Sequence, residues 1–241
     1  MQRILSSDCY RTIRSILTYA LPVILVLVLI FELISGTRHV GEDTISDVLD
    51  TSSSLLMLVL AIADIVLIKL WSGEHRHGFI KNIAGNVSGR QILPLSKMII
   101  AIGLCIIYSI FSFLFILCGN AIHGVKMVYA PFGDSLIQFL LWMLVGFVSA
   151  ALLLMLHELF NSPTLCYIAV IMLWTGMFEE ILIDLYYLIF KSDFNLARYT
   201  LICGMKVEES GNLEDLIRTL IYLAVFLGVA VFAARRKDVR A

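Results

Sequence analysis

Six apolar stretches, each close to the length at which a helix crosses a bilayer, recur along the chain with the charged residues gathered between them. A helix needs about 20 apolar residues to traverse roughly 30 Å of hydrocarbon, so this spacing sets the fold class before any single residue is considered. Of the 241 residues, 60% are apolar and 15% charged, and the mean hydropathy is +0.92. A water-soluble domain could not bury that much apolar surface. The expectation is an all-α membrane protein, one transmembrane domain over residues 1–241, with spans at 16–35, 55–71, 97–118, 135–156, 163–178 and 213–234. The first run follows three arginines but is too long for a signal peptide and lacks a small-x-small cleavage site, so it reads as a retained span.

The distribution of charge orients these spans. Six crossings put both termini on one side. The segments on that side hold Arg3, Arg11, Arg14, Lys69, Arg76, Lys81, Arg90, Lys97, Arg235, Arg236, Lys237 and Arg240, twelve of the 18 basic residues. The opposite side holds Arg38, Lys126, Lys191, Arg198 and Lys206 together with most of the acids, among them Glu42, Asp43, Asp47, Asp50, Glu208 and Glu209. Basic residues are retained on the cytoplasmic side, so the expected topology has both termini in the cytoplasm of a multi-pass plasma-membrane protein. The formal net charge of −1, with no basic face, gives no support to nucleic-acid binding.

Two segments depart from the simple pattern. Before the first span, at about 100° per residue, Arg3, Arg11 and Arg14 fall on one side and Leu5, Cys9, Ile13 and Ile16 on the other, the pattern of an amphipathic helix lying in the inner interface. Between spans five and six, the run from Glu179 to Phe190 is largely apolar yet opens with Glu179, Glu180 and, soon after, Asp184. It cannot cross again without breaking the topology; within the outer segment 179–212 it is expected to form a short helix dipping into the outer leaflet behind a shortened fifth span.

The longest inner loop, residues 72–96, is patterned rather than merely hydrophilic. Glu74, Arg76, Gly78, Lys81 and Asn82 precede a Gly/Asn/Ser turn at 85–89, and Arg90 then leads through Pro94 and Ser96 back into the membrane at Lys97. A helix, a turn and a second helix docked beneath the bilayer would have this composition.

These residues and their spacing resemble the type-2 permeases of ABC exporters, in which the loop joining spans two and three reads roughly Glu-x-x-x-Gly-x-x-Lys-Asn, then Ser-Arg, then Ser-Lys seven residues after the arginine. The chain supplies Glu74, Gly78, Lys81, Asn82, Arg90, Ser96 and Lys97 at those spacings, with Gly89 interposed between Ser88 and Arg90 as the one departure. The likeness extends to the six-span layout, the basic amphipathic start, the short fifth span with its dipping helix, and the ending from Phe232 to Asp238. The resemblance implies that Glu74, Arg76, Gly78, Lys81, Asn82, Arg90 and Lys97 belong to a coupling helix seated on a separate cytoplasmic ATPase subunit. It implies ATP and Mg²⁺ on that partner and no cofactor on this chain, and a pathway shared with a second copy or a similar permease. Small permeases of this kind resemble those that export amphipathic or antimicrobial peptides, such as phenol-soluble modulins, or that confer immunity to lantibiotics.

Other signals point elsewhere and are weaker. The stretch Gly73–Gly78 begins like a phosphate loop, but Phe79 and Ile80 stand where Lys and Ser/Thr are required, so this chain is not expected to hydrolyse ATP. His75 and His77, two apart on a helix, diverge and make no metal site. The five cysteines, Cys9, Cys105, Cys118, Cys166 and Cys203, lack metal or disulfide spacing. Glu179-Glu180 and His157-x-x-x-Asn161 resemble motifs of glutamate-type intramembrane proteases, in reversed order and with Asp184 where an arginine belongs. A membrane anchor or sensor without transport is the remaining alternative. Asp64, the one acid well inside a span, is a candidate pathway or dimer-interface residue, or else a carboxylate paired with a neighbouring helix or near enough to the inner interface to be wetted.

Overall fold

The computed structural model describes residues 2–15, 45–76, 92–123, 132–190 and 213–237, together with Thr18, Tyr19, Val23, Ile24 and Leu27. The described residues form helices and short links, with no strand among them: α1 (Gln2–Arg14), α2 (Ile45–Arg76), α3 (Ile92–His123), α4 (Phe132–Phe160), α5 (Pro163–Trp174), α6 (Met177–Phe190) and α7 (Leu213–Lys237). Among the described residues, three helices carry stretches long and apolar enough to cross a membrane, Ile92–Phe111 in α3, Leu140–Phe160 in α4 and Leu216–Arg236 in α7, and this all-helical fold fits a membrane protein. The predicted span 16–35 lies outside the described residues apart from the few positions just named, as does 191–212 of the outer segment.

Several helices outrun the spans predicted from hydropathy. α2 has 32 residues, about 48 Å at 1.5 Å per residue, and so exceeds the hydrocarbon thickness. Its polar first turns, Ile45 to Ser54, are helical although no apolar pattern marks them. α3 likewise starts at Ile92, five residues before the predicted boundary, with Pro94 inside the first turn, where its missing N–H removes no helical hydrogen bond.

α4 is the central helix, touching α2, α3, α5 and α7. Lipid supplies little hydrophobic drive between helices, so close packing and small residues must hold the bundle together. The buried positions follow this rule. Gly146, Ser149, Ala150 and Ala151 of α4 are buried, as are Ala230, Ala233 and Ala234 in the C-terminal part of α7. At Gly146 an added Cβ would stand 2.8 Å from a methyl of Leu60 on α2 and 3.5 Å from the Cys105 sulfur on α3, so a glycine permits this three-helix approach. Val59, Ala63, Val66, Leu67 and Trp71 of α2 meet Met98, Ala101 and Leu104 of α3, Leu153 and Leu154 of α4, and Cys166 and Val170 of α5 in one core. Their spacing along α2 is that of a single helical stripe.

Local sequence signals set α5 against α4. Asn161 takes a left-handed conformation, φ 54°, and its N–H caps the His157 carbonyl at 2.9 Å, ending α4. Ser162 then accepts a hydrogen bond from the Leu165 N–H at 3.4 Å and Pro163 opens α5. This tight Asn-Ser-Pro link folds α5 back alongside α4. Twelve residues later the helix stops: the Thr175 N–H and hydroxyl both donate to the Ile171 carbonyl, and Gly176, at φ 77°, turns the chain into α6. At about 18 Å, α5 is shorter than the hydrocarbon core.

α1 forms where the amphipathic pattern predicted a helix, with Tyr10 and Ile13 exposed and Arg14 hydrogen-bonded to the Tyr10 hydroxyl at 2.9 Å. The residues after it tie this segment to α3, because the Tyr108 hydroxyl donates to the Thr18 carbonyl at 3.0 Å. Tyr108 lies 16 residues beyond Ile92, so this contact is about 24 Å along α3 from its N-terminal end.

Candidate functional site

The polar residues inside the bundle form two levels. The lower lies where the C-terminal part of α2, the start of α3 and the C-terminal end of α4 converge. Lys97 Nζ stands 3.9 Å from Glu158 Oε1, with only 3% and 9% of their side chains exposed. The adjacent His157 is buried and its ring lies 6.2 Å from that of Trp71. Ser96, also buried, donates to the Leu93 carbonyl at 2.9 Å. These contacts fix directions as well as positions: the start of α3 meets the end of α4, so the two run antiparallel, whereas the ends of α2 and α4 meet and those two run parallel. The two helices flanking residues 77–91 are thus both held against α4, α2 through Trp71 and α3 through Lys97.

About 10 Å further along α2, seven residues before Trp71, Asp64 is 1% exposed. Trp174, at the end of α5, donates its indole N–H to Asp64 Oδ2 at 2.8 Å. Ser149 of α4 and Cys105 of α3 also stand beside this carboxyl group. The Ser149 hydroxyl, however, donates to the Gly146 carbonyl at 2.9 Å, and among the described residues Asp64 Oδ1 has no hydrogen-bond partner. Four helices therefore meet at one carboxyl group, and the Trp174 contact anchors α5 at the point where its helix ends.

The residues predicted from the inner loop divide between described and undescribed positions. Glu74 and Arg76 belong to the last turn of α2, while Gly78, Lys81, Asn82 and Arg90 lie outside the described residues. Lys97 is buried against Glu158 rather than presented to solvent. Asp64 is enclosed by helices of its own chain and does not lie on the outer surface of the bundle. Arg11 and Arg14 are on α1, as is Arg3 by its backbone. Hypothetical hydrolytic partners are kept apart: His157 lies just before α5 and Glu180 beyond it, exposed, so the length of α5 separates them. Among the described residues no cluster of three His, Cys, Asp or Glu side chains could hold a metal ion.

A comparison of the chain with protein-family models finds no match, and a comparison with curated proteins finds none either. The case for a function therefore rests on residues and geometry.

Sequence reasoning missed Trp174, Ser149 and the pairing of Lys97 with Glu158. A signal for the last was present. Lys97 begins one predicted span and Glu158 follows the end of the next, and two antiparallel neighbours place those positions at the same depth, where opposite charges pair. Trp174 gave no such signal, because an indole within an apolar run reads as packing.

Proposed function

We propose that this chain is the transmembrane subunit of an ATP-driven ABC exporter, with six spans, both termini in the cytoplasm, an interfacial α1 and an α6 that dips into the outer leaflet. Residues 72–96 form the coupling segment that seats on a separate ATPase subunit. Two copies of the chain, or one copy with a similar permease, enclose the pathway in the plasma membrane, and the cargo is an amphipathic or antimicrobial peptide or a similar hydrophobic molecule. ATP and Mg²⁺ bind the partner.

The observation that carries this reading is the spacing of Glu74, Gly78, Lys81, Asn82, Arg90, Ser96 and Lys97, joined to the way both flanks of that segment are held. A permease that receives work from a partner needs a protruding polar element whose base does not yield, so that displacement passes to the spans and is not absorbed locally. Trp71 against His157 and Lys97 against Glu158 give the segment such a base. The break after α5 adds support, because a short helix that ends at Trp174, four residues before the predicted boundary at 178, is followed by a second short helix, α6.

Co-purification tests the reading. The tagged chain, extracted in mild detergent from its native host, is expected to bring down an ABC ATPase in stoichiometric amount. Recovery of the folded chain free of any ATPase, under conditions where other membrane complexes survive, would count against it.

A further inference from the structure

The two faces of α7 differ in character. Thr219, Ala230, Ala233 and Ala234 are buried on one of them. At about 100° per residue the opposite face carries Ile217, Ile221, Gly228 and Phe232, all exposed, and ends in Arg235 and Arg236, which are exposed as well. Only 11% of the apolar window of α7 is buried within this chain, against 50% in α3 and 61% in α4, so something outside the chain covers it. A Cβ added at Gly228 would meet nothing within 4 Å, which marks the same face as open. The stripe also has a definite height. Arg235 lies 18 residues beyond Ile217, about 27 Å along the axis, close to the roughly 30 Å of a hydrocarbon slab. Glu214 and Asp215 precede the stripe in sequence, so charge frames it at both ends.

The arginine end is shaped for an anion. The Arg236 guanidinium stands over the Phe232 ring, 4.7 Å from its centre, and Phe232 is 54% exposed. A ring face holds the cation without a hydrogen-bond acceptor, so the planar group keeps N–H donors for an oxyanion. Charge then decides what covers the stripe. A second copy packing α7 against α7 in the same orientation would set Arg235 and Arg236 of each against the other, and like charges repel. A lipid layer supplies both complements, acyl chains along the stripe and phosphate at its end. We propose that the outward face of α7 is a lipid-contact surface ending in an anionic-phospholipid site, in which Arg235 and Arg236 hold the headgroup phosphate and Phe232 rests among the acyl chains. The site follows from a membrane-spanning α7 and does not need an ABC ATPase.

Native mass spectrometry of the purified chain, titrated in detergent with phosphatidylglycerol and with phosphatidylcholine of identical acyl chains, tests the phosphate site. The wild type is expected to prefer phosphatidylglycerol. Arg236→Gln should weaken that binding about 5-fold and Arg235→Gln/Arg236→Gln about 30-fold, with phosphatidylcholine unaffected, while Arg235→Lys/Arg236→Lys keeps most of the preference. Undiminished phosphatidylglycerol binding by the double glutamine variant overturns the site. A nitroxide on Ile221→Cys, in an otherwise cysteine-free chain reconstituted in vesicles, tests the face. It should be mobile and relaxed more by oxygen than by a water-soluble nickel chelate; a label immobile and shielded from both would show a second copy on the stripe and overturn the lipid assignment. Reconstitution itself tests the membrane reading, so a chain that enters vesicles and shows no lipid preference counts against this site alone.

Discussion

Replacing Lys97 by Met is expected to destabilise the folded protein by about 3–5 kcal/mol, because it leaves Glu158 charged and buried without its partner. Glu158→Leu should cost a similar amount by stranding the ammonium. The double substitution Lys97→Met/Glu158→Leu removes both charges and should return stability close to that of the wild type, since a buried ion pair replaced by apolar side chains is often neutral or better. Thermal or denaturant unfolding in detergent, followed by tryptophan fluorescence, reads all three. A solvated pair would behave differently, each single change costing no more than about 1 kcal/mol. The double-mutant pattern therefore separates a buried clamp from an incidental contact.

The second large effect concerns work rather than stability. In the proposed exporter, Glu74→Ala and Arg90→Ala are expected to leave membrane insertion and expression intact while uncoupling transport from ATP hydrolysis. Couplings between distant sites typically amount to about 1–3 kcal/mol, so peptide export per ATP should fall by about 5–150-fold. Reconstituted vesicles with the partner ATPase give both rates in one assay. The clamp variants supply a contrast: Lys97→Met/Glu158→Leu keeps the base of the segment apolar and packed, so it should retain more coupling than either loop substitution. Wild-type export by both loop variants would leave residues 72–96 as an ordinary inner loop.

Hydropathy captured the parts of the fold that lipid dictates. The apolar windows of α3, α4 and α7 stand out because each must face hydrocarbon on some side, and little of α7 is buried within this chain. What hydropathy could not locate are ends that lie in water or at the interface. Ile45–Ser54 is helical without an apolar stripe, and the start of α3 precedes the first residues the membrane selects. The fifth span was predicted at 163–178, and the helix stops at Trp174 because Thr175 turns its donors back to Ile171 and Gly176 adopts a positive φ. A Thr-Gly pair in a run otherwise rich in Leu, Ile and Met is a faint signal that only the backbone makes decisive. The polar interior was half legible. Asp64 was conspicuous as an acid inside a span, but its partner is an indole 110 residues away, and no periodicity links Asp64 to Trp174. Lys97 was noticed for its spacing in the loop, whereas its burial against Glu158 follows from the antiparallel contact of α3 and α4.

The account turns on whether residues 72–96 meet an ATPase at the inner face. Ser88→Cys in an otherwise cysteine-free chain, studied in inside-out vesicles with a thiol cross-linker, addresses that contact directly. The account predicts a cross-link to an ABC ATPase whose yield changes when ATP is added. Labelling of this cysteine from the outer face alone, or an accessible inner cysteine that never joins an ATPase, would contradict it.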